Sequence, residues 1–207
     1  MDRQEVTLLV EVTLLEKDFG VTGIGGEVLL YRQKIPMQNV ACKDPKALGM
    51  QSGKIPNSRL KASSEWNRDW GPGYGRLNGR RCWIARPSNT NQWLQIDFKY
   101  RATVTEILTQ GRRDANQWVR SYTVAYSEDG INFKTYRGNK GQDKVFSGNT
   151  DRNSVVRQEL SPVVVARFIR IQPKSWQSHI SMRAEVHGCF EGTAVIGLGC
   201  WGLPTMC

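Results

Sequence analysis

From residue 42 to residue 189 the chain is a series of short β-type runs separated by turn residues, and no long stretch sustains the 3.6-residue period of an amphipathic helix. Leu94, Ile96 and Phe98 alternate with Gln95 and Asp97, and Tyr122, Val124 and Tyr126 share one face of another run, the two-residue period of half-buried strands. Asp129-Gly130 then supplies a tight turn before Ile131 and Phe133, which predicts a β-hairpin. Three valines at 163–165 lead into the run 167–171, and residues 182–186 make a last short strand before Gly188. Many short strands with almost no helix predict an all-β fold, a β-sandwich or a jelly-roll barrel.

With 207 residues there is room for one ordinary domain and short flanks. Residues 1–41 hold a strand-like stretch at 6–15, a glycine-rich turn (Gly20, Gly23, Gly25, Gly26) and a second apolar stretch at 28–31. They read as a flank of unassigned role or part of a preceding module. Residues 190–207 form a glycine- and cysteine-containing tail. No run reaches the roughly 18 apolar residues of a membrane span. The first residues lack the basic cap and apolar core of a secretory signal, so the chain is expected to be a fragment of a longer parent.

Lysine plus arginine number 29 against 19 acids, a net charge of +10 that favours anionic partners. The basic residues stand as singles and pairs (Arg80-Arg81, Arg112-Arg113) with no nucleic-acid-binding run, which leaves phospholipid headgroups and acidic glycans as the expected partners and excludes nucleic acid. The five cysteines, 42, 82, 189, 200 and 207, form no C-x-x-C pair, and with two histidines they make no zinc spacing. Their odd number leaves one thiol free or joined to another chain. No Ser/His/Asp grouping stands out. Residues 197–202 match G-x-G-x-x-G in letters only, since no βαβ unit follows, and an enzyme is not expected.

Six or more ordered motifs carry a family resemblance. Leu48 to Ser58 (LGMQSGKIPNS), with Ala62-Ser63-Ser64 and Arg76-Leu77-Asn78, is followed by Trp93-Leu94-Gln95-Ile96-Asp97 and Thr109-Gln110-Gly111-Arg112. Tyr126 to Gly130, Gly148 to Asp151, Ala166 to Ile171 and Met182 to Cys189 then follow in order. Over residues 42–189 the sequence resembles a discoidin domain, the factor V/VIII type C module. The resemblance implies a discoidin-like eight-stranded jelly-roll barrel closed by a disulfide between Cys42 and Cys189. In a simple chain model, closing such a loop removes about 5 kcal/mol of denatured-state entropy. The bond also implies an extracellular or cell-surface setting.

Family members bind through loops at one end of the barrel, so the resemblance implies an adhesion or surface-recognition module for anionic phospholipid or acidic glycan. The first loop, 63–75, carries Trp66, Trp70 and Tyr74 among glycines and charges, and Trp66 stands where relatives place an apolar tip. A second loop, 111–118, puts Arg112 and Arg113 before Trp118, planar forks suited to phosphate, sulfate or carboxylate. A third stretch, 83–93, adds Arg86, Ser88 and Asn91 to the rim, with no acid from 84 to 92 of the kind that captures a peptide's terminal arginine. The one cofactor the resemblance allows is a structural calcium at Asn78 and Glu185. Without calcium, Glu185 is expected to pair with an arginine at strand level. The alternatives are an assembly domain contacting matrix or receptor proteins (collagen-type contacts or self-association included) through spare cysteines, and a lectin for neutral sugars.

Overall fold

The computed structural model describes residues 18–22, 28–32, 42–139 and 141–191. The chain divides into two compact units, Met1–Ala41 and Cys42–Cys207. In the first, β1 (Asp18–Thr22) and β2 (Val28–Arg32) form an antiparallel pair. β2 coincides with the predicted apolar stretch, whereas Gly20 lies within β1 rather than in a turn. The strand expected at 6–15, the glycines at 23, 25 and 26, and Cys200 and Cys207 fall outside the described residues.

The second unit is the predicted all-β jelly roll. Its strands are β3 (Lys46–Ala47), β4 (Leu60–Ala62), β5 (Trp83–Ile84), β6 (Leu94–Gln110), β7 (Trp118–Ser127), β8 (Lys134–Thr135), β9 (Val145–Ser147), β10 (Val156–Gln177) and β11 (Ser181–Phe190). Nine strands stand among its described residues where eight were expected, and β3, β5 and β8 are only two residues long. Strand pairs are antiparallel in the order β3-β11-β6-β10-β7-β8, with β4 on β6, β5 on β11 and β9 on β7. Helix among the described residues is limited to three short 3-10 turns at Asn57–Arg59, Arg68–Trp70 and Pro72–Tyr74.

Strand β6 pairs with the first part of β10, from Leu94 opposite Ile171 to Thr109 opposite Val156, and two register shifts interrupt the ladder, one of them at Arg167. Asp97 faces Phe168 and Ala102 faces Ala166, so residues 98–101 stand opposite Arg167 alone, with Lys99 at φ 73°. Extra residues on one strand bend a ribbon, and here the bend is a corner at which both strands fold back. Both ends of the ribbon therefore reach the same pole: beside Leu94, Ser63 donates to the Trp93 carbonyl, and just beyond Gln110 the Arg112 guanidinium lies 4.3 Å from the Trp70 ring. The cysteines that bound the domain sit at the corner. Cys42 and Cys189 are bonded with their Cα atoms 5.5 Å apart, Cys189 pairs with Thr103, and Glu191 N–H donates to the Arg101 carbonyl.

Inward-facing side chains fill the barrel. Leu94, Ile96, Phe98, Val104, Tyr122, Val124, Ile169 and Ile171 are buried there, and Tyr122 stacks on Phe146 with 5.6 Å between centroids. The predicted hairpin forms between β7 and β8, with Gly130 at φ 75°, a backbone that side chains rarely adopt. The outward face of β6 is less exposed than its alternation suggested. Gln95 is buried, accepting a hydrogen bond from Arg170 at 2.9 Å, and Arg170 lies over both Trp93 (4.1 Å) and Phe133 (3.6 Å). That stack takes part of one wall out of solvent.

Candidate functional site

Four segments meet at the loop pole: residues 63–75, 85–92, 111–117 and 178–180. Local chemistry shapes the first. Asn67 caps the Arg68–Trp70 turn by accepting the Asp69 N–H, and Pro72 opens the next turn, where its missing N–H costs nothing. Gly73 has to be bare, because a Cβ there would stand 2.8 Å from the Asn57 side chain. Trp83, fully buried, fastens the loop from below through its indole N–H to the Ser64 carbonyl at 2.8 Å.

Trp66 is the more exposed of this loop's aromatics, with 55% of its surface in solvent. Its backbone N–H donates to the Ile84 carbonyl at 2.9 Å, and its ring meets His179 edge to face at 5.5 Å. His179 is itself fixed: Nδ1 lies 3.0 Å from Ser88 Oγ and Nε2 lies 2.7 Å from the Ala85 carbonyl oxygen. Ser88 Oγ also accepts the Ile180 N–H, which ties the third loop to the β10–β11 turn. The tip aromatic thus stands on a rigid base while its other face is open.

The remaining predicted residues separate into held and open groups. Trp70 is half-buried beneath Arg112, whose guanidinium also bonds Asp114 at 2.7 Å and Gln117 at 3.0 Å. The bond to Asp114 pushes Arg112 up and holds the Asp114 carboxyl below the usual carboxylate range. Arg112 is therefore the locally paired member of its doublet, and Arg113 is exposed. Tyr74 is exposed with the Arg81 guanidinium 5.0 Å from its centroid, and Arg81 bonds Asp69 at 2.7 Å. Arg86 is exposed, its backbone N–H donating to Ser64 Oγ. Asn91 is exposed and Trp118 half-buried.

Asn78 and Glu185 do not fit a calcium ion. Glu185 is 1% exposed, and its carboxylate accepts the backbone N–H groups of Met50 (3.1 Å), Gln51 (2.8 Å) and Val186 (2.9 Å). Three donors aimed at one carboxylate present the wrong sign to a cation. Asn78, at φ 60°, exchanges hydrogen bonds with Gln110 and donates its side-chain amide to Gln51 Oε1. Among the described residues no group of three or more His, Cys, Asp or Glu stands together to hold a metal. The strand-level ion pair expected of Glu185 is replaced by these backbone bonds. Cys82 is buried, with its thiol free.

Two residues that organise the pole escaped notice in the sequence. One is His179. The other is Arg183, 2% exposed, which donates to the carbonyls of Gly111 (2.8 Å), Gly79 (3.0 Å) and Arg152 (2.8 Å) and to Asn153 Oδ1 (3.1 Å). One buried guanidinium therefore fastens three loops. Arginine followed by alternating strand residues was the only available signal, and it does not distinguish a clamp from a surface charge.

The F5/8 type C domain model matches residues 59–186. Coagulation factor V of Bos taurus is 40% identical over 158 residues, covering 72% of this chain and 7% of that protein. Lactadherin of Mus musculus is 38% identical over 159 residues, covering 72% of this chain and 34% of lactadherin. Retinoschisin of Mus musculus is 36% identical over 157 residues, 72% of this chain and 70% of retinoschisin. The chain thus spans only a small part of factor V and about a third of lactadherin. Among solved structures, wild-type discoidin II of Dictyostelium discoideum superposes with a TM-score of 0.60 at 28% identity, covering 72% of this chain and 59% of discoidin II.

Proposed function

This chain belongs to the F5/8 type C (discoidin) domain family, a family of binding modules, and from that premise we propose that it is an extracellular adhesion or surface-recognition module whose loop pole docks on an anionic phospholipid surface. The observation that carries this reading is Trp66, a tryptophan held open to solvent on a rigid base of Ile84 and His179. An indole of this kind has an apolar body and a polar N–H, which suits the boundary between headgroups and acyl chains. Its exposed part, roughly 130 Å², is worth about 3 kcal/mol if fully buried.

Arg86 and Arg113, exposed around the same pole, supply guanidiniums for headgroup phosphates, and the net charge of +10 favours approach to an anionic surface. The Cys42–Cys189 bond supports an oxidising, extracellular setting. Sedimentation with phosphatidylserine vesicles against phosphatidylcholine vesicles tests the reading. The parent chain is expected to favour the anionic vesicles and to keep binding at physiological salt, where screening acts over about 8 Å. Trp66→Ala is expected to weaken binding at least about tenfold with an unchanged unfolding midpoint. Equal binding by parent and Trp66→Ala would refute the membrane reading.

A further inference from the structure

Asn78 and Gly79 are the single Asn-Gly pair in the sequence. Such a pair carries its own chemistry, because no side chain on the glycine blocks the approach of its amide nitrogen to the asparagine side-chain carbonyl carbon. Asn78 is exposed in the loop between the Pro72–Tyr74 turn and β5, at φ 60°, a left-handed backbone that asparagine tolerates. Water therefore reaches the pair, and only its local ties stand between it and reaction.

Every reacting group is tied down in the folded domain. Asn78 N–H donates to Gln110 Oε1 at 2.8 Å, and Gln110 Nε2 returns a bond to Asn78 Oδ1 at 3.1 Å. The amide that would leave, Nδ2, donates to Gln51 Oε1 at 3.2 Å. The attacking nitrogen is occupied too, since Gly79 N–H donates to the Arg76 carbonyl at 3.0 Å. Anchors on both sides keep the pair from swinging: Leu77 N–H donates to the Ala184 carbonyl at 2.9 Å, and the Gly79 carbonyl accepts from buried Arg183 at 3.0 Å. Gln110 is itself buried and fixed, its Nε2 also donating to the Asn153 carbonyl at 2.7 Å, so the latch is built into the end of β6.

We propose that Asn78 is a latent site of spontaneous modification, kept as asparagine while Gln110 and Gln51 hold it and converted through a cyclic imide when the loop at 76–81 opens. The Gly79 nitrogen gives its proton to solvent base and bonds to Asn78 Cγ, the Cγ–Nδ2 bond breaks, and ammonia leaves. Water then opens the ring at either carbonyl, leaving aspartate or an isoaspartyl link in which the main chain runs through the former side chain. Water is the one co-reactant. The reaction proceeds from the open loop, so its rate follows the population of that opening.

Both products strain the loop. Aspartate loses the Nδ2 donor and turns an anionic oxygen toward Gln51 Oε1. The isoaspartyl link adds a methylene to the main chain between two fixed points, the Leu77 bond to Ala184 and the Gly79 bond to Arg183, so one of the two has to release. Release of the Gly79 carbonyl separates this loop from the Gly111 and Arg152 carbonyls that the same guanidinium holds. Modification at Asn78 is thus a one-way uncoupling of the 76–81 loop, and it is independent of what the Trp66 tip binds.

The test incubates the intact, disulfide-bonded chain at neutral pH, with peptide mapping by mass spectrometry for conversion at Asn78 and an isoaspartate-specific methylation assay for the second product. Folded parent is expected to convert at least about a hundredfold more slowly than the same chain in urea. Gln110→Ala removes two ties to Asn78 and should speed conversion at least about tenfold, whereas Gln51→Ala removes one exposed tie and should speed it about twofold to threefold. Val124→Ala lowers the urea midpoint from within the barrel core, away from Asn78, and should leave the rate within about twofold of the parent. Isoaspartyl protein separated from the parent should exchange its 76–81 amides faster. The latch is overturned if folded parent converts as fast as the chain in urea, if Gln110→Ala is no faster than the parent, or if Gln110→Ala and Val124→Ala accelerate equally at matched midpoints. An unfolded chain in which Asn78 converts no faster than the other asparagines overturns the site, and unchanged 76–81 protection in the isoaspartyl protein overturns the uncoupling.

Discussion

Replacing Arg183 by methionine removes the clamp while keeping an unbranched side chain of comparable reach. Four hydrogen bonds from a buried guanidinium are lost, to Gly111, Gly79, Arg152 and Asn153. Each unsatisfied buried acceptor costs about 1–3 kcal/mol, but these carbonyls belong to surface loops that recover part of the loss by turning to water. The expected destabilisation is therefore about 3–5 kcal/mol, as for losing several charge-assisted hydrogen bonds together. For a domain of this size that lowers Tm by about 10 °C, since 1 kcal/mol moves it about 2–4 °C. Urea unfolding followed by tryptophan fluorescence, with the slope m compared between variant and parent, measures the change. Hydrogen exchange should also show faster opening confined to the loops at 76–81, 111–117 and 151–154. A loss under about 1 kcal/mol with unaltered loop protection would refute the clamp.

Two further outcomes follow from buried groups. Burial pushes the Cys82 thiol up to about 12, against an ordinary thiol value near 9. Native protein at pH 8 should therefore resist iodoacetamide at Cys82 by peptide mapping and react once unfolded in urea. The folded state keeps this proton while the unfolded chain loses it, so the thiol's contribution to stability is complete below about pH 8.5 and is lost as pH rises toward about 12. Cys82→Ala should flatten that alkaline decline. Glu185→Gln replaces a carboxylate facing three N–H donors by an amide with one acceptor oxygen, and should cost about 2–4 kcal/mol in urea unfolding. Calcium should not shift the midpoint of the parent, and a rise in midpoint with calcium would show that the backbone donors do yield to the cation.

The β-strands were legible because alternation is local. Leu94, Ile96 and Phe98 point inward by a rule that needs only neighbours two residues apart. The corner was not legible, since Lys99 enters its left-handed backbone to satisfy pairing with a strand some seventy residues later. Trp66 and Arg113 are read correctly as exposed loop residues, because glycine and charge around an aromatic mark a surface loop. His179 and Arg183 were invisible for the opposite reason: Ser88 stands 91 positions from His179, and Gly79 stands 104 from Arg183. Glu185 misled because a strand glutamate among many arginines suggests an ion pair, while its actual partners are amide groups 134 and 135 positions away.

The bond between Cys42 and Cys189 also sets how the module carries mechanical load. A pull applied to the chain on both sides of it runs from one sulfur to the other and bypasses the strands, leaving the intervening separation of 147 residues slack. Stretched out, that hidden length would come to roughly 500 Å at about 3.4 Å per residue. An anchored module of this build can thus be tugged by its backbone while its loops keep their shape, and the force is felt first at the grip on the bound surface.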